Sequence, residues 1–140
     1  MARTYECHEW CKEGGPIRKP VIYPDLSYQI TGAAFDVHNE LGPGFLEKLY
    51  EEAMARELGL CGIPFERQKS VAVSYKGEQI GTQVLDLVVD SKIVLELKAV
   101  ASLAPIHRQQ TLSYLKAAGL KLGIVINFGE PGVTYERVAN

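Results

Sequence analysis

The chain has 140 residues, of which 46% are hydrophobic and 23% are charged, which is typical of one soluble globular domain. The net charge of −2 and the pI near 5.9 exclude a general electrostatic attraction to nucleic acid. A polyanionic partner would therefore need a local basic patch and a bound metal ion.

No stretch approaches the ~18 consecutive apolar residues of a membrane helix, and the N-terminus lacks the apolar segment of a signal peptide. We therefore expect no membrane contact and a cytoplasmic location. The three cysteines, Cys7, Cys11 and Cys61, are an odd number without a disulfide framework, which suits a reducing compartment.

Glycines and prolines interrupt residues 1–25, where no helical or strand periodicity is visible. We interpret this stretch as an N-terminal extension and residues 26–140 as the folded domain. Cys7 and Cys11 lie four positions apart beside a histidine, which is a possible zinc pair. A closed zinc site needs about four ligands, however, and Cys61 is distant, so we do not expect zinc there.

The first helix is predicted from Ser27 to Leu41, where apolar residues recur at helical spacing. Ser27 or Asp25 is the expected N-cap. The Gly-Pro-Gly at 42–44 predicts the end of the helix, because glycine tolerates a positive φ and a residue before proline disfavours helical geometry.

A second helix is predicted from Phe45 to Leu58, with Leu46, Leu49 and Tyr50 on its apolar stripe. Glu47 lies at the edge of the buried face rather than opposite it. Its carboxylate is therefore placed to reach a site between this helix and a sheet.

Three strands are expected next, at residues 71–75, 78–89 and 93–100. The Lys-Gly pair at 76–77 predicts a tight turn of the primed type between the first two. The polar residues at 90–92 separate the second strand from the third, so these two strands form a hairpin.

Three charged residues, Asp86, Glu96 and Lys98, interrupt the apolar pattern of this hairpin. Burying such groups is costly unless they are paired, hydrogen-bonded or bound to a metal. Side chains alternate along a strand, so Glu96 and Lys98 share a face. Asp86 joins them if the connecting loop has three residues, because Val89 then lies opposite Ile93; a two-residue loop would turn Asp86 away.

In that register the two carboxylates repel each other unless a cation lies between them. Oxygen ligands of this kind suit Mg²⁺ or Mn²⁺. A lysine beside such an ion can orient or deprotonate the water that attacks a phosphorus atom. The alternative is an ordinary ion pair at the edge of a sheet, with solvent between the groups.

A third helix is expected from Pro105 to Ala118, and it carries His107, Gln110 and Tyr114 on one face. The apolar run at 122–128 then predicts a buried strand that is parallel to an earlier one.

A last strand is predicted at 133–138. The element order α-α-β-β-β-α-β-β predicts a mixed β-sheet flanked by helices, of the α/β or α+β class.

The segment at 44–50, Gly-Phe-Leu-Glu-Lys-Leu-Tyr, resembles the signature of the GxxExxY protein family. Residues 37–44, 96–99 and 126–129 are similar to that family as well, and the resemblance extends from about residue 30 to residue 129. This family is placed in the PD-(D/E)XK nuclease superfamily, which implies a restriction-endonuclease-like core.

The resemblance implies a Mg²⁺-dependent nuclease acting on DNA or RNA, in which Mn²⁺ can substitute. Asp86 and Glu96 would bind the ion, and Lys98 would position the water. The same resemblance supplies the other candidate residues, which are Glu47 and the Leu97 carbonyl as further metal ligands, and Gln110, Tyr114 and His107 near the substrate.

An alternative is a catalytically silent module of the same fold that binds nucleic acid or a protein partner. The acidic pI favours this alternative, as does Val84, which stands where many similar proteins carry a basic residue. A homodimer also stays open, because a domain of this size offers limited surface to grip a duplex.

Overall fold

The computed structural model describes residues 22–140, so Cys7, Cys11 and most of the predicted extension lie outside the described residues. None of the helices in the described range is long and apolar enough to cross a bilayer. The elements follow the predicted order and are α1 (Pro24–Leu41), α2 (Glu47–Leu60), β1 (Phe65–Tyr75), β2 (Glu78–Val89), β3 (Ile93–Lys98), α3 (Pro105–Ala118), β4 (Leu122–Asn127) and β5 (Thr134–Ala139).

Helix α1 begins at Pro24 rather than at the predicted Ser27. Tyr23 takes the N-cap position with a φ of 49°, and Pro24 fits the first turn, where a missing N–H is tolerated. The predicted cap by Ser27 or Asp25 was therefore wrong. The predicted end is confirmed, because Gly42 follows the helix with a φ of 69°.

The five described strands form one sheet in the order β1-β2-β3-β4-β5. Neighbouring strands are antiparallel except β3 and β4, which are parallel and are joined through α3. A helical crossover is the usual connection between parallel strands, and the parallel strand predicted at 122–128 is confirmed. The architecture is a mixed sheet flanked by helices.

Strand β1 begins at Phe65, well before the predicted start at Val71. Residues 66–69 are Glu-Arg-Gln-Lys, which lack the apolar alternation that identifies a strand from sequence. They form strand structure because three of the four, residues 66, 67 and 69, pair with residues 88, 87 and 85 of β2. Long-range pairing outweighs the local pattern at this point.

Strand β3 is buried on both faces. Met54 of α2 and Ile30 of α1 pack with Leu95 on one face, and Leu115 of α3 packs with Val94 on the other. Each fully buried side chain of this size contributes about 1.5–3 kcal/mol. The strand that carries Glu96 and Lys98 is therefore the rigid centre of the domain.

The buried face of α2 differs from the predicted one. Leu46 and Leu49 are 78% and 48% exposed, whereas Met54 and Leu58 are fully buried. The helix is rotated so that Glu51, which is 8% exposed, faces the sheet. The predicted apolar stripe was wrong in its Leu46 and Leu49 members, because packing against the sheet decides the rotation of a weakly amphipathic helix.

Candidate active site

The β2–β3 hairpin has the register in which the predicted acids converge. Val89 pairs with Ile93, which confirms the three-residue loop. Continuing the same register places Asp86 opposite Glu96. The regular pairing ends before these residues, so the two strands separate where the acids lie.

Each of the two carboxylates accepts a backbone hydrogen bond from the opposite strand. The Leu97 N–H donates to Asp86 Oδ2 at 2.9 Å, and the Asp86 N–H donates to Glu96 Oε2 at 3.2 Å. The acids thus replace ladder hydrogen bonds where the strands diverge, which fixes their orientation. These bonds use one oxygen of each carboxylate and leave the other for a further ligand.

The electrostatics of the pair are unfavourable for two ionised acids. Burial, followed by the charge of Asp86, raises the pKa of Glu96 from 4.5 to about 8. Burial also raises the pKa of Asp86, and the charges of Glu51 and Glu47 add to this, while its backbone hydrogen bond and Lys98 oppose it. A bound cation would relieve the repulsion.

Lys98 ends β3 on the face of Glu96 and is half-buried. The strand end is fixed, because the Phe128 N–H donates to the Lys98 carbonyl at 2.8 Å and Lys98 pairs with Asn127. The positive charge of Lys98 lowers the pKa of both Asp86 and Glu96. Its ammonium group is therefore within electrostatic reach of both acids.

A cavity of about 460 Å³ opens beside Asp86 on the α2 side of the sheet. Its lining consists of Glu47, Lys48, Glu51, Arg67, Gln68, Asp86 and Leu97. Glu96 and Lys98 point to the α3 side, because their neighbours Leu95 and Leu97 pack on the core beneath α1 and α2. Asp86 lies where the strands separate and is accessible from the cavity.

Near Asp86, the β1–β2 hairpin twists, so that the side chains on either side of this point pack on opposite faces of the sheet. Phe65 packs on the α1/α2 side, whereas Val71 packs on the α3 side. Residues an even number of positions apart share a face in a regular strand, so β1 turns over between them. Gln68 lies at that point with a φ of 50°, and the regular pairing skips Gln68 and Asp86 between the pairs Arg67–Leu87 and Lys69–Leu85. Such a φ is uncommon for a residue with a side chain and recurs at functional sites.

A sequence model of the PD-(D/E)XK nuclease superfamily matches residues 24–138. The chain belongs to this superfamily. The match begins with α1 and ends within β5, so it includes the paired acids, the lysine and the cavity. A comparison with curated proteins finds no match.

Two solved structures are similar to this superfamily member. The crystal structure of SSO0001 is 16% identical, with 79% of this chain and 65% of that chain covered and a TM-score of 0.46. This chain thus spans less than two thirds of SSO0001. An alkaline exonuclease (LHK-Exo) from Laribacter hongkongensis is 11% identical, with 87% and 72% covered and a TM-score of 0.50. At this identity the likeness concerns the fold alone.

Helix α3 carries three further residues that were predicted to lie near the substrate, Tyr114, His107 and Gln110. Burial raises the pKa of Tyr114, and the charges of the two paired carboxylates raise it further, so its hydroxyl lies near them. The His107 Nδ1 accepts a hydrogen bond from the Ala104 N–H at 3.0 Å, which caps the start of the helix. Gln110 is half-buried one turn before Tyr114.

Glu47 lies in the exposed first turn of α2, on the wall of the cavity. Tyr50 fixes this end of the helix: its hydroxyl donates to the Gly42 carbonyl and accepts from the Phe45 N–H at 3.2 Å. The Tyr50 ring stacks on Phe128 with centroids 4.6 Å apart. The charge of Glu47 contributes to the raised pKa values of both paired acids.

A second carboxylate of α2, Glu51, was not among the predicted residues. Its Oε2 accepts from Arg67 Nε at 3.1 Å and from Nη2 at 2.9 Å, and its Oε1 accepts from Gln68 Nε2 at 2.6 Å. Glu51 follows Glu47 by one helical turn, so its position on the same face was a usable signal. The contribution of Gln68 depends on its positive φ, which the sequence does not show.

The described residues contain no group of three His, Cys, Asp or Glu side chains close enough to hold a metal ion as they stand. The donors still fit a hard divalent cation, since Asp86 and Glu96 each keep an oxygen outside their backbone hydrogen bonds. Glu51 lines the cavity beside Asp86, but Arg67 and Gln68 occupy both of its oxygens. The Arg67 guanidinium thus already supplies a positive charge to this carboxylate.

Proposed function

We propose that this protein is a divalent-metal-dependent nuclease that hydrolyses phosphodiester bonds in DNA or RNA, with Mg²⁺ as its ion and Mn²⁺ as a substitute. The observation that carries the proposal is the acid pair, in which half-buried Asp86 and buried Glu96 exchange backbone hydrogen bonds across the hairpin and both have raised pKa values. A structural ion pair would neutralise its charges, whereas these two acids repel each other. Membership of the PD-(D/E)XK nuclease superfamily supports the same function.

Asp86 and Glu96 are the proposed metal ligands, through the oxygens that accept no backbone hydrogen bond. Glu47 and the Leu97 carbonyl are proposed as further ligands, and both residues line the cavity at Asp86. When bound, the ion supplies charge stabilisation at the phosphate and lowers the pKa of water.

Lys98 is proposed to orient the attacking water, because its ammonium lies on the face of Glu96 within reach of both acids. Tyr114, Gln110 and His107 are proposed to contact the substrate from α3. The effect of the paired acids on the pKa of Tyr114 supports this arrangement, since it requires the phenol to lie near them.

Cleavage assays on single- and double-stranded DNA and RNA, with Mg²⁺, Mn²⁺ or EDTA, test this function. We expect metal-dependent cleavage that falls by about 100-fold or more in Asp86→Asn and Glu96→Gln, because each removes a negatively charged ligand. Asp90→Asn and Lys92→Met are matched controls in the exposed loop of the same hairpin. Cleavage that survives in both site variants would contradict the proposal.

Two observations favour the alternative of a silent binding module: no three-ligand group is assembled among residues 22–140, and the Arg67 guanidinium donates hydrogen bonds to the Glu51 carboxylate. Calorimetry separates the two functions. A silent module should take up no Mg²⁺ or Mn²⁺ in a manner that depends on Asp86 and Glu96, whereas the nuclease should.

The narrower resemblance to the GxxExxY family stays a prediction, as do a cytoplasmic location and a homodimer. Light scattering coupled to size-exclusion chromatography tests the dimer directly. Metal analysis of the full chain tests whether Cys7 and Cys11 bind zinc, which we do not expect.

A further inference from the structure

Arg67 is held between two acids at the rim of the cavity. Its Nη2 donates to Glu51 Oε2 and to Glu52 Oε1, both at 2.9 Å, and its Nε donates to Glu51 Oε2 at 3.1 Å. The side chains of Glu51, Arg67 and Glu52 are 11%, 33% and 57% exposed. The guanidinium therefore connects a buried acid to the solvent and can be reached by a ligand.

The hydrogen bonds to Glu51 and Glu52 do not use all the N–H donors of the Arg67 guanidinium. Arginine carries about five N–H donors, and the bonds to the two glutamates use those of Nε and Nη2. Within the described part of the chain, Nη1 donates to no acceptor. A planar fork of this kind matches the oxygens of a phosphate, which a lysine ammonium does less specifically.

The location of Arg67 suits the same ligand. Arg67 pairs with Leu87, the neighbour of Asp86, and both Arg67 and Asp86 line the cavity. A phosphate bound by Arg67 would therefore lie beside Asp86, one of the two proposed acidic metal ligands. Lys48 is the other cation of the lining, but it lies on the exposed surface of α2.

We propose that Arg67 binds a phosphate of the nucleic-acid substrate and that, in the free protein, it is the counter-ion that keeps Glu51 from binding metal, an assignment that rests on the proposed nuclease function. Gln68 Nε2 donates to Glu51 Oε1 at 2.6 Å, so this carboxylate stays on the cavity wall when Arg67 changes partner. Phosphate and metal binding are then coupled, and each makes the other tighter.

Metal binding is measured by titration calorimetry with Mn²⁺ alone. Arg67→Met keeps the length of the side chain but removes its charge and donors, so Glu51 becomes available. We expect the Mn²⁺ Kd to fall by about five-fold or more, and this gain to vanish when Glu51→Gln is also present. Lys69→Met is the matched control, because Lys69 is a cation of the same strand that pairs with exposed Glu66 instead.

Phosphate binding is measured by fluorescence anisotropy with a labelled DNA oligonucleotide, single-stranded and duplex, in EDTA so that no cleavage occurs. We expect Arg67→Met to weaken binding by about ten-fold and Lys69→Met by less than about three-fold. Arg67→Lys keeps the charge without the fork and should fall between wild type and Arg67→Met. If circular dichroism shows that the Arg67→Met variant is unfolded, Arg67→Lys is used in its place in the Mn²⁺ and oligonucleotide assays.

The outcomes separate the two proposals. If wild type binds Mn²⁺ and cleaves nucleic acid, but the Arg67 variants leave the Mn²⁺ Kd or the oligonucleotide affinity unchanged, the assignment of Arg67 is overturned and the nuclease function stands. If wild type binds no Mn²⁺, the proposed function fails, and the assignment of Arg67 fails with it.

Discussion

Replacing Glu96 by glutamine tests whether the acid pair destabilises the free protein at neutral and alkaline pH. Burial, with the charge of Asp86, raises the pKa of Glu96 from 4.5 to about 8, so the folded protein holds this proton more tightly than the unfolded chain. The resulting stabilisation is complete below pH 4.5 and is lost as the pH rises to about 8.

The size of this loss follows from the two pKa values. Each pH unit between them changes the free energy of unfolding by about 1.36 kcal/mol, so the interval from 4.5 to about 8 corresponds to roughly 5 kcal/mol. Glu96 is only 6% exposed, so screening by solvent reduces the value little. Coupling to Asp86 spreads the titration over both acids, and we therefore expect about 2–4 kcal/mol.

Urea denaturation followed by circular dichroism, from pH 5 to pH 9 without divalent ions, measures the effect. Over this range, the free energy of unfolding of wild type should fall by about 2–4 kcal/mol relative to that of Glu96→Gln, because the glutamine side chain does not ionise. Glu136→Gln on exposed β5 is the control and should follow wild type. A constant difference between wild type and Glu96→Gln across the range would refute the reasoning.

Three further changes test other parts of the site and its support. Lys98→Met should lower the cleavage rate by about 100-fold without weakening Mn²⁺ binding, and a parallel loss in calorimetry would instead make Lys98 part of the metal site. Tyr50→Phe should lower the free energy of unfolding in urea by about 1–2 kcal/mol, since the loop before α2 loses two hydrogen bonds; an unchanged value would contradict this. Gly129→Ala should lower it by roughly 3 kcal/mol or more, because a Cβ would overlap neighbouring backbone, whereas Gly132→Ala meets no atom within 4 Å and should have little effect.

The convergence of Asp86 and Glu96 could be predicted because it depends on local features. The length of a hairpin loop determines which residues of the two strands lie opposite each other and therefore share a face. The polar residues at 90–92 mark that loop in the sequence. The pairing of Val89 with Ile93 confirms the inference. The helix ends at Gly42 and Gly119 were predictable for the same reason, since each has a positive φ.

The N-terminal half of β1 and its contribution to the cavity could not be predicted in this way. Its polar residues 66–69 become a strand only by pairing with β2, and the turn-over at Gln68 depends on a backbone conformation without a sequence signal. The local sequence pattern consequently does not indicate that Arg67 lines the cavity.

The rotation of α2 determines which of its acids faces the sheet. Glu51 and Glu52 are adjacent and chemically identical, yet only Glu51 is buried. The apolar residues of α2 are spread around the helix, so their spacing does not determine which side meets the sheet. That choice is made by packing against β1 and β3.

In the proposed nuclease, Asp86 and Glu96 jointly bind a divalent ion beside Lys98. A crystal structure of the protein soaked with Mn²⁺ above pH 8, with anomalous diffraction data, tests this most directly. We predict an anomalous peak bound by one oxygen of each acid, at the point where β2 and β3 separate. Anomalous maps with no peak between the two acids, in crystals that contain Mn²⁺ elsewhere, would contradict the claim.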